Sequence, residues 1–226
     1  SSDFADRPAV VDLPQNVKKK AEQLYGSNVD AVLRTSSVQQ GIIRRPSSRQ
    51  SLYHDQSTFT YEGQLEPKLF EAAWNAAIRN NDALRMQYFK EDEAWYACLL
   101  KERLVVMEYV DLRHDPEQDA AIQQDIKADL LAPFNLQDEP LLRLRLYRAS
   151  EETYIFFLSF HILATDGWSF AFMMDDVFTA YDQLLEDQPV ILPVRRPTYI
   201  DYLQSLTPAD AIAGRQHWKK YLDGIQ

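Results

Sequence analysis

The spacing of apolar positions changes several times along the chain, and each change marks an element. Tyr154 to Phe160 is an apolar run rich in aromatic and β-branched residues, the pattern of a strand buried on both faces. His161, Thr165, Asp166 and Gly167 then bring in polar and flexible residues, and Trp168 to Leu185 resumes at helical spacing. A strand, a polar turn and an apolar helix gather side chains and helix-start N–H groups in one place, so this junction is the candidate site.

The remaining pattern predicts a mixture of helices and strands. Val17 to Tyr25 reads as a short peripheral helix ending at Gly26, with Lys18, Lys19 and Lys20 exposed. Ser36 and Ser37 precede Val38, Ile42 and Ile43, the apolar positions of a serine-capped helix stopped by Pro46. Gln56 to Gly63 reads as a strand with Phe59 and Tyr61 on one face. Pro67 opens a helix whose apolar stripe is Leu69, Ala73, Trp74, Ala77 and Ile78. Leu84 to Phe89, Ala94 to Leu100 and Val105 to Val110 read as strands, the first two joined by the turn Lys90 to Glu93. A helix follows from Asp115 and Pro116 through Leu131. Leu142, Leu144 and Leu146 then alternate with Arg143 and Arg145 in a further strand, the arginines (with Arg148) read as a solvated rim. Pro189, Pro193 and Pro197 mark an extended connection, after which Thr198 to Leu206 leads to a last helix, Pro208 to Leu222, with Trp218, Tyr221 and Leu222 on its apolar side. Strands interleaved with helices, without repeats, predict an α+β fold in which helices pack on a mixed sheet.

Charge and cysteine content narrow the partners. With 34 acidic and 24 basic residues the formal net charge is −10, which works against nucleic acid and anionic membranes. No apolar run is long enough to span a bilayer, and Ser1 to Asp12 lacks a signal-peptide pattern. The single cysteine, Cys98, lies in the strand-like run AWYACLL, where it reads as a buried inert thiol and fits a reducing, cytoplasmic setting. His161 and Asp166 have no further ligands at suitable spacing, so no metal is expected.

Six segments in order resemble the condensation domains of nonribosomal peptide synthetases, within the chloramphenicol-acetyltransferase-like fold. They are Ser36, Ser37, Gln39, Gln40 and Gly41; NNDALRMQYF, with Asp82, Leu84, Arg85 and Phe89; PFNLQDEPLLRLRLYR, with Pro133, Phe134, Leu136, Pro140, Leu141, Leu142 and Arg143; the central stretch; Tyr199, Asp201 and Tyr202; and His217 to Gly224. Asn80 and Asn81 stand where the second segment has Arg and His. The central stretch resembles the active-site motif His-His-x-x-x-Asp-Gly followed by Trp-Ser. His161 takes the first histidine, Asp166 and Gly167 the acidic-glycine pair, and Trp168 and Ser169 the tail. Ile162 replaces the second histidine, the one that serves the amine nucleophile.

The resemblance implies the first lobe of a two-lobe domain, residues 31–226 after a lead-in over 1–30, with the C-terminal lobe absent. It implies a parent reaction that joins a donor acyl thioester to an acceptor amine. Each substrate rides on the phosphopantetheine arm of a carrier protein, and no cofactor is bound directly. Donor and acceptor carrier proteins and the missing lobe are the implied partners, and the face normally turned to that lobe leaves self-association open. Isoleucine cannot accept a proton, so the chain alone is expected to be inactive. Rescue by His161 would need a bulge, because a one-residue slip reverses the side-chain face. A noncatalytic platform for carrier proteins or tailoring enzymes is the alternative. Asp166 is either a helix-start acid or, as the resemblance implies, a structural carboxylate paired with an arginine. Gly167 permits a tight turn or leaves room for the thioester. Ser169 is a cap or a minor contact, and Trp168 and Arg85 are supporting motif positions.

Overall fold

The computed structural model describes residues 13–44, 53–194, 198–205 and 208–223. The lead-in Ser1 to Asp12, the proline after Ile43 and Pro197 therefore lie outside the described residues. Two compact units divide the chain, Ser1–Val194 and Arg195–Gln226.

In the first unit, the apolar run becomes β7 (Thr153–His161), an inner strand of a four-stranded sheet ordered β2-β7-β6-β5. Its partners are β2 (His54–Glu62) and β6 (Leu142–Arg148), both antiparallel, while β5 (Met107–Asp111) runs parallel to β6. Parallel neighbours require a crossover, supplied here by α4 (Gln118–Leu131). Alternation along β7 then separates two cores. Phe156 packs against Phe70 and Trp74 of α3 (Pro67–Asn80), with ring centroids 5.2 and 5.4 Å away, and Phe160 packs against Phe170 of α5 (Gly167–Leu185) at 5.8 Å. On the other face Phe157 joins Tyr147, Leu112 and Ile122 beneath α4. A strand covered on both faces has to be apolar on both, which is why residues 154–160 show no alternation.

A second, three-stranded sheet has the order β1-β4-β3, formed by β1 (Val29–Arg34), β3 (Met86–Glu91) and β4 (Ala94–Leu100). Against it lies α1 (Gln15–Tyr25), which buries Val17 and Ala21 on Phe89, Tyr96, Cys98 and Leu100. That helix is therefore part of a core, not peripheral. Burial, followed by the charge of Asp30, pushes the Cys98 thiol up to about 12, so it stays protonated and unreactive.

Four further local expectations are corrected, and β1 has no counterpart among the expected elements. Residues Asp82–Arg85 form a 3₁₀ turn, so the strand expected from Leu84 starts at Met86. The strand expected from Val105 starts at Met107, because Asn75 of α3 takes both the N–H and the carbonyl of Val105, each at 2.9 Å. In α2 (Ser37–Ile43) Ser36 and Gln39 form the capping box, and Gln39 is buried while Val38 is 68% exposed. The arginines of β6 are half-buried partners of Asp129, Glu108 and Glu151 and not a free rim.

The second unit holds α6 (Tyr199–Ser205) and α7 (Pro208–Tyr221). Asp201 accepts from the Thr198 N–H at 2.7 Å, and Trp218, Tyr221 and Leu222 are exposed.

Candidate functional site

The β2–β7 ladder runs without a register shift from Glu62↔Thr153 to His54↔His161, and the Ile162 N–H extends it by one bond to the Tyr53 carbonyl at 2.9 Å. No bulge intervenes. His161 therefore belongs to the α4 face, and alternation assigns Ile162 to the face of α3 and α5.

The turn after β7 folds back on its own imidazole. Ala164 N–H donates to the His161 carbonyl at 2.9 Å, and Leu163 N–H donates to His161 Nδ1 at 3.2 Å, which leaves the ring proton on Nε2. The ring is buried, with Phe134 edge-on at 6.1 Å between centroids. Burial, and secondarily the neighbouring His54, push the His161 pKa down to about 4. The first motif histidine is thus a neutral group whose acceptor nitrogen is already used.

Directly across the ladder, His54 enters a buried polar cluster. Its Nε2 lies 3.0 Å from Asp129 Oδ2 and 3.0 Å from Ser159 Oγ. Gln56 Nε2 donates to the same carboxylate oxygen at 3.0 Å, and Arg143 Nη1 donates to the other at 3.2 Å. Burial alone would raise the Asp129 carboxyl. The hydrogen bonds from His54, Ser159, Gln56 and Arg143 outweigh it and hold the group below its ordinary range. A serine, a histidine and an aspartate meet here, but Ser159 and Asp129 share one ring nitrogen. A hydrolytic relay needs them on opposite nitrogens, so this cluster ties the end of α4 to strands β2, β6 and β7.

Asp166 caps α5. Its Oδ1 accepts from the Ser169 N–H at 2.7 Å, and that bond holds its carboxyl below the ordinary range. Among the described residues it forms no ion pair with an arginine, the partner that the resemblance implied. The orphan N–H groups of the helix start satisfy it instead. Gly167 is the first helical residue, with open space where a Cβ would stand, and Trp168 is 85% exposed. Ser169 contributes its backbone N–H to the cap. Arg85 ends the 3₁₀ turn before β3, where it pairs with Asp82 at 2.7 Å and donates to the Leu100 and Lys101 carbonyls.

The structure therefore brings together His161, Ile162, Asp166, Gly167, Trp168 and Ser169 as strand end, turn and helix start, and places Arg85 elsewhere, in the 3₁₀ turn that precedes the small sheet's β3. Asn80 and Asn81 each donate to Asp176 of α5 at 3.1 Å. The sequence reading missed His54, Asp129 and Ser159. Their only signal is polar character at positions that the surrounding apolar pattern would bury. Among the described residues, no group of three or more His, Cys, Asp or Glu side chains is arranged to hold a metal ion, and no helix is long and apolar enough to cross a membrane.

A family model described as the condensation domain matches residues 30–226. Surfactin synthase subunit 3 of Bacillus subtilis (strain 168) is 31% identical over 180 residues, covering 78% of this chain and 14% of that protein. Bacitracin synthase 3 of Bacillus licheniformis is 28% identical over 230 residues, 99% of this chain and 4% of that protein. In solved structures, the starter condensation domain of rhizomide synthetase superposes with a TM-score of 0.75 at 22% identity, over 87% of this chain and 49% of that one. The epimerization domain from the third module of tyrocidine synthetase B gives 0.76 at 19% identity, over 87% and 44%. The chain thus spans about half of those structures and a small part of the curated relatives. Its α+β architecture is the chloramphenicol-acetyltransferase-like fold, and the chain belongs to the condensation-domain family of nonribosomal peptide synthetases.

Proposed function

We propose that this chain is the motif-bearing, N-terminal lobe of a condensation domain whose parent reaction joins a carrier-bound acyl or peptidyl thioester to a carrier-bound aminoacyl amine, and that this lobe supplies no base for it. The substrates would arrive on phosphopantetheine arms, with donor and acceptor carrier proteins as partners and a C-terminal lobe completing the channel. One observation supports the second half of the reading: the register is unbroken, so His161 turns toward α4, and Ile162, which the resemblance aligns with the second motif histidine, takes the opposite face. The His161 imidazole is buried, neutral and committed through Nδ1 to Leu163, so it is not a substitute. Asp166 and Gly167 act here as the start of α5, with Trp168 and Ser169 beside them.

The same geometry favours a noncatalytic platform as the role of the intact domain, since the fold of the turn survives without the reacting group. The test is Ile162→His in the complete two-lobe protein, with donor and acceptor arms loaded and amide product measured. A positioned general base is worth about 10²–10⁴-fold, so the histidine variant is expected to exceed the unaltered protein by that margin. Equal rates in the two proteins would defeat the reading.

A further inference from the structure

Leu163, the residue after Ile162, has both of its backbone groups claimed by side chains, and the two claims come from different sheets. Its N–H donates to His161 Nδ1 at 3.2 Å, at the end of the four-stranded sheet. Its carbonyl faces Tyr88 Oη of β3, in the three-stranded sheet, at 3.5 Å. That is the longest link in a chain of hydrogen bonds that continues away from the turn. Gln39 Nε2 donates to the same Tyr88 oxygen at 2.9 Å, and Gln39 Oε1 accepts from the Ser36 N–H at 2.9 Å within the capping box. Tyr88 and Gln39 are buried, so water does not compete for these bonds. Tyr88 is anchored independently through its backbone, whose N–H donates to the Leu136 carbonyl at 2.8 Å.

We infer that Tyr88 and Gln39 are positioning residues for the motif turn, a relay that runs from the cap of α2 through the small sheet to the Leu163 carbonyl and so fixes how residue 162 is presented. The donor order is consistent along the whole chain. The Ser36 N–H donates to Gln39, the Gln39 amide donates to Tyr88, and the Tyr88 hydroxyl is left one proton, which it can give only to an acceptor. The Leu163 carbonyl, at 3.5 Å, is the acceptor to which this proposal assigns it. A donated bond to the tyrosine oxygen polarises its hydroxyl and strengthens the bond it gives, so loss of Gln39 is felt at Leu163, although the Gln39 side chain bonds to Tyr88 and Ser36. The inference also gives a physical reason for two sequence segments, Ser36 to Gly41 and the His161 to Ser169 motif, to occur in one fold.

The test is carbonyl-carbon and amide NMR of this chain, isotopically labelled, with Tyr88→Phe and Gln39→Met. Both variants are expected to shift the Leu163 carbonyl resonance in the direction of a lost hydrogen bond, and to speed amide exchange at Leu163 and Ala164 by about tenfold. A role confined to packing around Tyr88 would leave that carbonyl in place, and an unmoved resonance in Gln39→Met would overturn the relay. Should Tyr88→Phe fail to fold, Gln39→Met reads the same atom from the other end. A kinetic arm rests on the proposed function: in the complete domain carrying Ile162→His, adding Tyr88→Phe should lower kcat about tenfold with KM unchanged. The NMR arm needs no activity, so an inactive Ile162→His protein would count against the condensation reading and leave the relay to be decided at Leu163.

Discussion

Two environments meet at the tip of β7, one residue apart. On the α4 face, His161 lies beside a cluster of the buried His54, Asp129 and Ser159 and the half-buried Arg143, in which the Asp129 carboxylate takes bonds from three strands. On the α3 and α5 face, Ile162 leads into a helix start where Asp166 and Trp168 are exposed. The difference teaches that a polar side chain at this junction does structural work where it is buried and saturated. On the proposed reading chemistry would belong on the open side, where this chain has the hydrocarbon side chain of Ile162. Adjacent positions on one strand have separate duties because a strand alternates.

The largest effect should come from breaking the saturated side. Asp129→Ala leaves His54, Gln56, Ser159 and Arg143 without their common acceptor, with Arg143 still held over the Phe134 ring at 4.0 Å. Removing one partner of a buried ion pair costs about 3–5 kcal/mol, and chemical denaturation should show a loss of that size. A loss under about 1 kcal/mol would mean that the cluster is not a keystone, and that the two sides of β7 differ less than the geometry implies.

Acid should expose the same side more gently. His161 has a pKa of about 4 when folded, against an ordinary value of 6.5, so the unfolded chain binds the extra proton first. Its contribution is complete above pH 6.5, declines as pH falls toward 4, and is then exhausted. That decline amounts to about 3 kcal/mol for a shift of this size. Asp129, held below its ordinary 3.8, adds a second loss only below that pH. His161→Asn keeps an acceptor for the Leu163 N–H but cannot titrate, so stability measured from pH 7 to 4.5 should flatten in that variant. An unchanged slope would assign the pH dependence to other groups.

How much of this was legible in the sequence depended on whether a residue's surroundings were local. The α5 cap could be read because Asp166 and the Ser169 N–H lie within one helical turn, and β7 could be read because burial on both faces removes alternation over 154–160. The His161 and Ile162 positions followed from the resemblance, but which face each takes required the β2 register. The Asp129 cluster was hidden because its partners are separated by up to 75 residues from it and look like ordinary polar positions one at a time. Val105 shows the opposite failure. Its apolar, β-branched side chain suits a strand, yet Asn75 of a distant helix takes its backbone groups. Strand β1 escaped notice because residues 29–34 include Asp30 and Arg34 and alternate too weakly to stand out from a loop.

The smallest effects belong to the open side, and they sharpen the comparison by being small. Trp168 is 85% exposed, so Trp168→Ala removes little buried surface and should change stability by less than about 0.5 kcal/mol. Asp166→Ala deletes the cap acceptor for the Ser169 N–H and should cost about 1 kcal/mol, the usual value of a helix N-cap. Measured beside Asp129→Ala, the two variants test whether the carboxylates at 129 and 166 differ as their settings require. The first is surrounded by donors from three strands and the second by one helix start. If Asp166→Ala proved as damaging as Asp129→Ala, the cap would be holding the turn as well as the helix. The division between a saturated side and an open side would then have to be redrawn to include the start of α5.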